Sequence, residues 1–241
     1  MKQPHSVLQL RYYLFLSAVL TFCLILIFSA VKKPAALPSI ADIVALQHSE
    51  ASAQLAYTVE IEESGPGYSL SFSGQVHEGQ LYGNLEKYNL QIFATDDSYY
   101  VRGAEMFKQW QPLEKAELEG LSAFVREPLA LLGLLLQSGI SHEEKGPDRE
   151  INGVPCHAYL LEIAPAYTQD LSLISASEDM SVERMRVYLW FGENDNFLYQ
   201  MALVFDIGQG NEKGQISRIY SMSLQEIEMP PDLPQDEELE I

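Results

Sequence analysis

Cysteine is almost missing from this chain: its 241 residues hold only Cys23 and Cys156. Cys23 lies inside an apolar run, so no disulfide framework is available to the remainder. Cys156 alone reads as a small buried apolar group rather than a reactive thiol. Basic residues are scarce as well, 15 against 34 acidic ones, for a net charge of −19. Every acidic residue follows residue 33 but only 11 of the basic ones do, and 11 against 34 leaves that part at −23. Such a surface argues against nucleic acid, whose phosphates demand Lys and Arg, and against lying flat on anionic lipid. The acidity itself reads as a solubility feature.

Patterns that carry chemistry are lacking too. There is no G-x-S-x-G nucleophile elbow. The five histidines, His5, His48, His77, His142 and His157, do not pair with one another or with cysteine at ligand spacing. Cys156 and His157 are neighbours, and neighbours on a strand point to opposite faces, so the two are not expected to hold one ion. Gly208-Gln209-Gly210 and Gly214 lie between strand patterns with no helix to receive a phosphate, and read as a hairpin turn. Asp96-Asp97 and Glu193-Asn194-Asp195 read as solvated turns. The expectation is a protein that is not an enzyme and has no metal and no cofactor.

Charge is absent altogether from Tyr12–Val31. Twenty helical residues at about 1.5 Å each span roughly 30 Å, the hydrocarbon thickness of a bilayer. A cleaved signal has a shorter apolar stretch and a small-residue site close behind it, whereas this run ends in Lys32-Lys33. Phe22 before Cys23 also makes a poor lipoprotein box. The expected plan is a cytoplasmic tail over 1–11, a single-pass anchor in the cytoplasmic membrane over 12–31, and a linker over 32–38. A domain over 39–229 follows outside the cytoplasm, with an acidic disordered tail over 230–241.

The part after the anchor is long enough for one sizeable core. Ile40, Ile43 and Val44 predict a short helix up to about Ser49. The period then becomes two: Leu55, Tyr57, Val59 and Ile61, the turn Ser64-Gly65-Pro66-Gly67, then Tyr68, Leu70, Phe72 and Val76 predict a hairpin. Short strands follow around Gln80–Leu85, Tyr88–Ala94 and Tyr99–Arg102, closed by the aromatic edge Phe107–Pro112. Pro128 opens a helix through LALLGLLLQ, apolar nearly all round and so buried on most sides. Gly139 and the polar run Ser141–Asp148 are expected to end it. Strands return over Cys156–Ile163, Met185–Phe191, Phe197–Ile207 and Ile216–Leu224, with a loop or flap over Ala166–Glu178. These patterns predict an α+β fold: eight to ten antiparallel strands in two groups, forming an open curved sheet wrapped over apolar helices.

The order of these elements resembles that of the LolA/LppX-like lipoprotein-carrier and lipid-binding family. Four places carry the likeness: the opening helix and hairpin Leu55–Val76; Trp110-Gln111-Pro112-Leu113 leading to Glu127-Pro128-Leu129; Glu150-Ile151-Asn152-Gly153-Val154-Pro155-Cys156 through Tyr159; and Arg186–Phe191 followed by Asp195-Asn196-Phe197-Leu198. The resemblance implies an unclosed half-barrel with helices on its concave face and an apolar cavity for acyl chains. A lipid or an acylated protein is then the expected partner. Leu129, Leu132, Leu135, Leu136 and Phe72 are the candidate lining, with Trp110, Tyr188 and Trp190 at the mouth. The alternative is a sensory or protein-interaction ectodomain whose core is filled by its own side chains.

Overall fold

The computed structural model describes residues 39–40, 55–95, 98–103, 107–114, 120–137, 139–164, 180–209, 212–227, 229–230 and 232–234. The expected anchor at 12–31, most of the short helix after Ile40, Asp96-Asp97 and the flap at 166–178 lie outside the described residues. Backbone contacts divide the chain into two compact units, Met1–Ser39 and Ile40–Ile241, and the second holds every strand named below.

Six strands come first: β1 (Ala56–Gly65), β2 (Tyr68–His77), β3 (Gln80–Leu85), β4 (Leu90–Ala94), β5 (Tyr99–Gly103) and β6 (Phe107–Pro112). Two helices interrupt them, α1 (Gly120–Phe124) and α2 (Pro128–Gln137). Then come β7 (Ile140–Lys145), β8 (Arg149–Ile151), β9 (Val154–Ile163), β10 (Met180–Gly192), β11 (Leu198–Gln209) and β12 (Glu212–Leu224). All twelve join one antiparallel sheet in the order β6-β5-β4-β3-β2-β1-β12-β11-β10-β9-β7, with β8 beside β9. Its two ends, β6 and β7, do not meet, in keeping with the open half-barrel architecture.

One expectation is corrected here and another extended. Among the described residues there are twelve strands rather than eight to ten, and the two groups along the chain join into the expected single open sheet. The join is the long β1–β12 ladder, from Tyr57 opposite Leu224 to Ser64 opposite Ser217. The polar run after Gly139 does end α2, and its first part, Ile140–Lys145, is in addition the edge strand β7. It is exposed along nearly its whole length, so it has no apolar alternation for period-two reasoning to detect.

The turns form where the residue types allow them. Asn152 and Gly153 both take positive φ, 50° and 83°, which sets β8 against β9 as a tight hairpin. At the β10–β11 turn Asp195 accepts from the Phe197 amide at 3.0 Å and from the Tyr199 hydroxyl at 2.8 Å. Burial, and then that carboxylate, push the Tyr199 phenol up to about 12. Gly74 and Gly83 face each other across β2 and β3, and the ring of Phe72 lies where either Cβ would be.

One face of the sheet carries Val59, Ile61, Phe72, Leu81, Leu85, Ile92, Val101, Met185, Val187, Leu189, Met201, Leu203, Phe205, Ile216, Tyr220 and Met222, all buried. Leu131, Leu132 and Leu135 of α2 and Phe124 of α1 complete the same core. This is the core face; the opposite side is the outer face.

Candidate functional site

The geometry around α2 begins with Glu127. Its backbone carbonyl accepts the first helical bond from Leu131 at 2.9 Å. Its carboxylate accepts from the amides of Leu129, at 3.0 Å, and Ala130. Glu127 is therefore the N-cap of α2, satisfying two amides that have no partner inside the helix, with Pro128 in the first position, where its missing N–H costs nothing. The Tyr57 hydroxyl of β1 donates to the same carboxylate, so the cap is also the hydrogen-bonded link between helix and core face.

α2 is unevenly covered. Pro128, Leu131, Leu132, Gly133 and Leu135 are buried, Leu129 and Leu136 are half-buried against the core, and Leu134 is 41% exposed. Beside that open side lies a cavity of about 190 Å³ bounded by Ala94, Thr95, Tyr99, Arg126, Glu127, Ala130, Leu131 and Leu134, with Gly79 across from them. It lies where the β2–β3 and β4–β5 turns meet the start of the helix.

Of the residues singled out from the sequence, Phe72, Leu132 and Leu135 are buried together in the core and Leu129 and Leu136 flank it. Trp190 is partly buried and also packs against that cluster, whereas Trp110 and Tyr188 are not part of it. In the β9–β10 register Leu189 pairs with Tyr159 and Val187 with Leu161, so Tyr188 and Trp190 point to the outer face. There they stack at 6.1 Å, under the Arg149 guanidinium 3.8 Å from the Trp190 ring. Trp110 is also on the outer face, against Tyr82 and Phe93 near the other end of the sheet. Alternation within each strand was the available signal, but it gains meaning only once the core face is known.

Two further sites escaped sequence reasoning. A larger hollow of about 600 Å³ has mixed walls, with Leu70 and Ile219 among Glu62, Glu63, Ser64, Ser69, Ser71, Glu86, Lys87 and Ser217, and its carboxylates and hydroxyls make it a poorer seat for a hydrocarbon chain. Elsewhere Asp148, His157 and Glu193 bring ligand atoms within 4.8 Å of one another. Lys145 already donates to Asp148 at 3.2 Å. Burial opposes the charge on Asp148, but Lys145 and His157 outweigh it and hold the carboxyl below its ordinary range. Cys156 is buried, and burial pushes its thiol up, as suits an unreactive packing group.

No protein-family profile matches the chain, and no curated protein matches it by sequence. Solved structures similar to it include the lipoprotein LppX of Mycobacterium tuberculosis, at 16% identity and a TM-score of 0.46, over 77% of this chain and 95% of that one. LprF from Mycobacterium bovis is similar at 14% identity and a TM-score of 0.43, over 79% and 96%. An outer membrane lipoprotein-sorting protein domain from Vibrio parahaemolyticus is similar at 8% identity and 0.26, over 77% and 90%. These are likenesses in the kind of fold that the sequence resembles. What the site does is argued from this chain's own residues.

Proposed function

We propose that this is a non-catalytic lipid-binding domain, held at the outer side of the cytoplasmic membrane by the apolar run 12–31, which takes up the acyl chain of a lipid or lipoprotein beside α2. The observation that carries the reading is the cavity of about 190 Å³ against an exposed leucine, Leu134, on an otherwise apolar helix. A methylene moved there from water is worth about 0.8 kcal/mol. Ligand pockets usually measure about 300–1,000 Å³, so this cavity takes the end of a chain. Deeper entry requires α2 to lift from the core face at its Tyr57–Glu127 link. Arg126 and Glu127 at the rim meet the polar end of the ligand.

A second reading, a sensory or protein-interaction ectodomain, is favoured by how fully Leu131, Leu132 and Leu135 occupy the core face beneath the helix. Native mass spectrometry of the full chain purified from membranes, with organic extraction in parallel, separates the two. The lipid reading expects a co-purifying lipid, and less of it in Leu134→Trp, where an indole fills the cavity. Absence of lipid, together with unchanged uptake of a fluorescent fatty acid by that variant, would leave the second reading standing.

A further inference from the structure

Beyond Leu224, where β12 ends, described residues of the chain contact the outer face of several strands. Gln225 Nε2 donates to Thr58 Oγ1 on β1 at 2.7 Å. Gln75 Nε2 on β2 lies 3.7 Å from the Met229 sulfur. At β5 and β6, Arg102 Nη1 donates to the Asp232 carboxylate at 2.5 Å and Trp110 Nε1 donates to the Asp232 backbone carbonyl at 3.0 Å. Thr58, Gln75, Tyr82, Phe93 and Tyr100 are successive cross-strand partners; the segment meets the first two of that outer-face row, and Arg102 and Trp110 beside its far end. From β1 to β5 is four strand spacings, about 19 Å. Seven residues from Gln225 to Asp232 reach about 22 Å in a polyproline II conformation and about 10 Å as a helix. The sequence there, Met229-Pro230-Pro231-Asp232-Leu233-Pro234, is of the kind that favours an extended chain of the longer reach.

The platform beneath is held by contacts within the sheet itself. Trp110 stands edge-on to Tyr82 and Phe93, with ring centres 6.4 and 6.3 Å away, and the Arg102 guanidinium lies 4.5 Å over its ring. Arg102 Nε donates to Gln91 at 2.9 Å, and Gln91 to the Tyr82 hydroxyl at 3.1 Å, which fixes the direction of the remaining guanidinium donors. An indole N–H for a main-chain carbonyl, an arginine for the carboxylate of the same residue, and an aromatic floor for prolines that lack N–H groups define a ligand chemistry.

We propose that the Arg102–Trp110 platform is a docking groove for an acidic, proline-rich peptide of a partner protein, and that the chain's own residues 229–234 are its exchangeable occupant. A tethered occupant acts at an effective concentration in the millimolar range, so the groove is closed to weak ligands and open to a partner that binds better or is itself presented at high local concentration. The proposal is independent of the lipid reading, since the groove and the α2 cavity are on opposite faces of the sheet.

Trp190→Phe leaves Trp110 as the single tryptophan and makes its emission the readout. Two tail variants in that background open the groove: the full chain with Asp232→Lys, and a chain ended after Gln225, which keeps all twelve strands. The probe is a synthetic peptide of residues 227–236. Saturable binding to both opened proteins is expected, about tenfold or more tighter than to the chain with its native tail, and weakened by Arg102→Gln or by Asp232→Asn in the peptide. A dimer of native chains that the peptide dissolves supports the groove, with a second copy as occupant. No saturable change in either opened protein, or equal binding of a peptide with Pro230 and Pro231 replaced by Gly, overturns the proposal.

Discussion

Arg218 and Glu63 stand directly opposite each other in the β12–β1 ladder, and their side chains meet on the core face, Nε to Oε2 at 2.5 Å, with both residues buried. The guanidinium also donates to the Ala123 carbonyl of α1 and lies 5.6 Å from the Phe124 ring. The Tyr68 hydroxyl donates to the other oxygen of Glu63 at 2.9 Å. Burial opposes the charge on Arg218, but Tyr220 and Glu63 beside it more than offset that and hold it protonated. One charge pair thus joins the first strand to the last and seats a helix on both.

Removing one member strands the other in the core. Glu63→Leu alone or Arg218→Met alone is expected to lower unfolding free energy by about 3–5 kcal/mol, whereas the two together, which remove both charges, should come close to wild type. Urea denaturation of the four proteins of this cycle checks it. Equal losses in the single and double variants would show that packing, not charge, is what the pair contributes.

At the cap of α2, Glu127→Ala removes the acceptor for the Leu129 and Ala130 amides and for Tyr57. A loss of about 1 kcal/mol is expected from the cap alone, and Tyr57→Phe, which spares the cap, should cost less. If lifting α2 admits a chain, Tyr57→Phe should also speed fatty-acid uptake measured by stopped-flow fluorescence, with little change in melting temperature.

Leu132 and Leu134 are two residues apart on one helix but should behave oppositely. Leu132 is 1% exposed, and Leu132→Ala is expected to cost about 2–5 kcal/mol. Leu134 is 41% exposed, so Leu134→Ser should cost far less, about 1 kcal/mol or below, while reducing lipid uptake. Thermal melts and binding assays on the same two proteins read both effects.

Acid should release the strap on the outer face. The hydrogen bond from Arg102 holds the Asp232 carboxyl below its ordinary range. A depressed carboxylate contributes fully above the unfolded value, about 3.9, and its contribution is lost as pH falls through the lower, docked value. Trp110 emission in the Trp190→Phe background should therefore stay constant from neutrality to about pH 4 and change below it. The step should disappear in Arg102→Gln.

Gly83→Ala tests a point where sheet backbones approach closely. A Cβ there would overlap the Ser73 carbonyl oxygen, Gly74 and the Phe72 ring, and backbone cannot move aside as a flexible side chain can. Overpacking of this kind costs about 1–3 kcal/mol. Gly79→Ala, where no atom lies near but φ is +76°, separates steric overlap from backbone strain.

The chain's order along its length was legible from residues alone. Period-two runs such as Tyr57, Val59, Ile61 and Met185, Val187, Leu189 marked strands, Asn152-Gly153 marked a hairpin, and Pro128 with the leucines after it marked the helix over Pro128–Gln137. Each rests on local backbone and side-chain preferences that act within a few residues. What only tertiary structure decided is which strands adjoin and which face is inward. The β1–β12 pairing joins residues over 150 positions apart, Glu63 and Arg218 among them; β7 is a strand because β9 offers it an edge; and Trp110 points away from α2 because register fixes the side every second residue takes. The tail has no periodicity of its own, and its place on the outer face follows from partners contributed by four separate strands, β1, β2, β5 and β6.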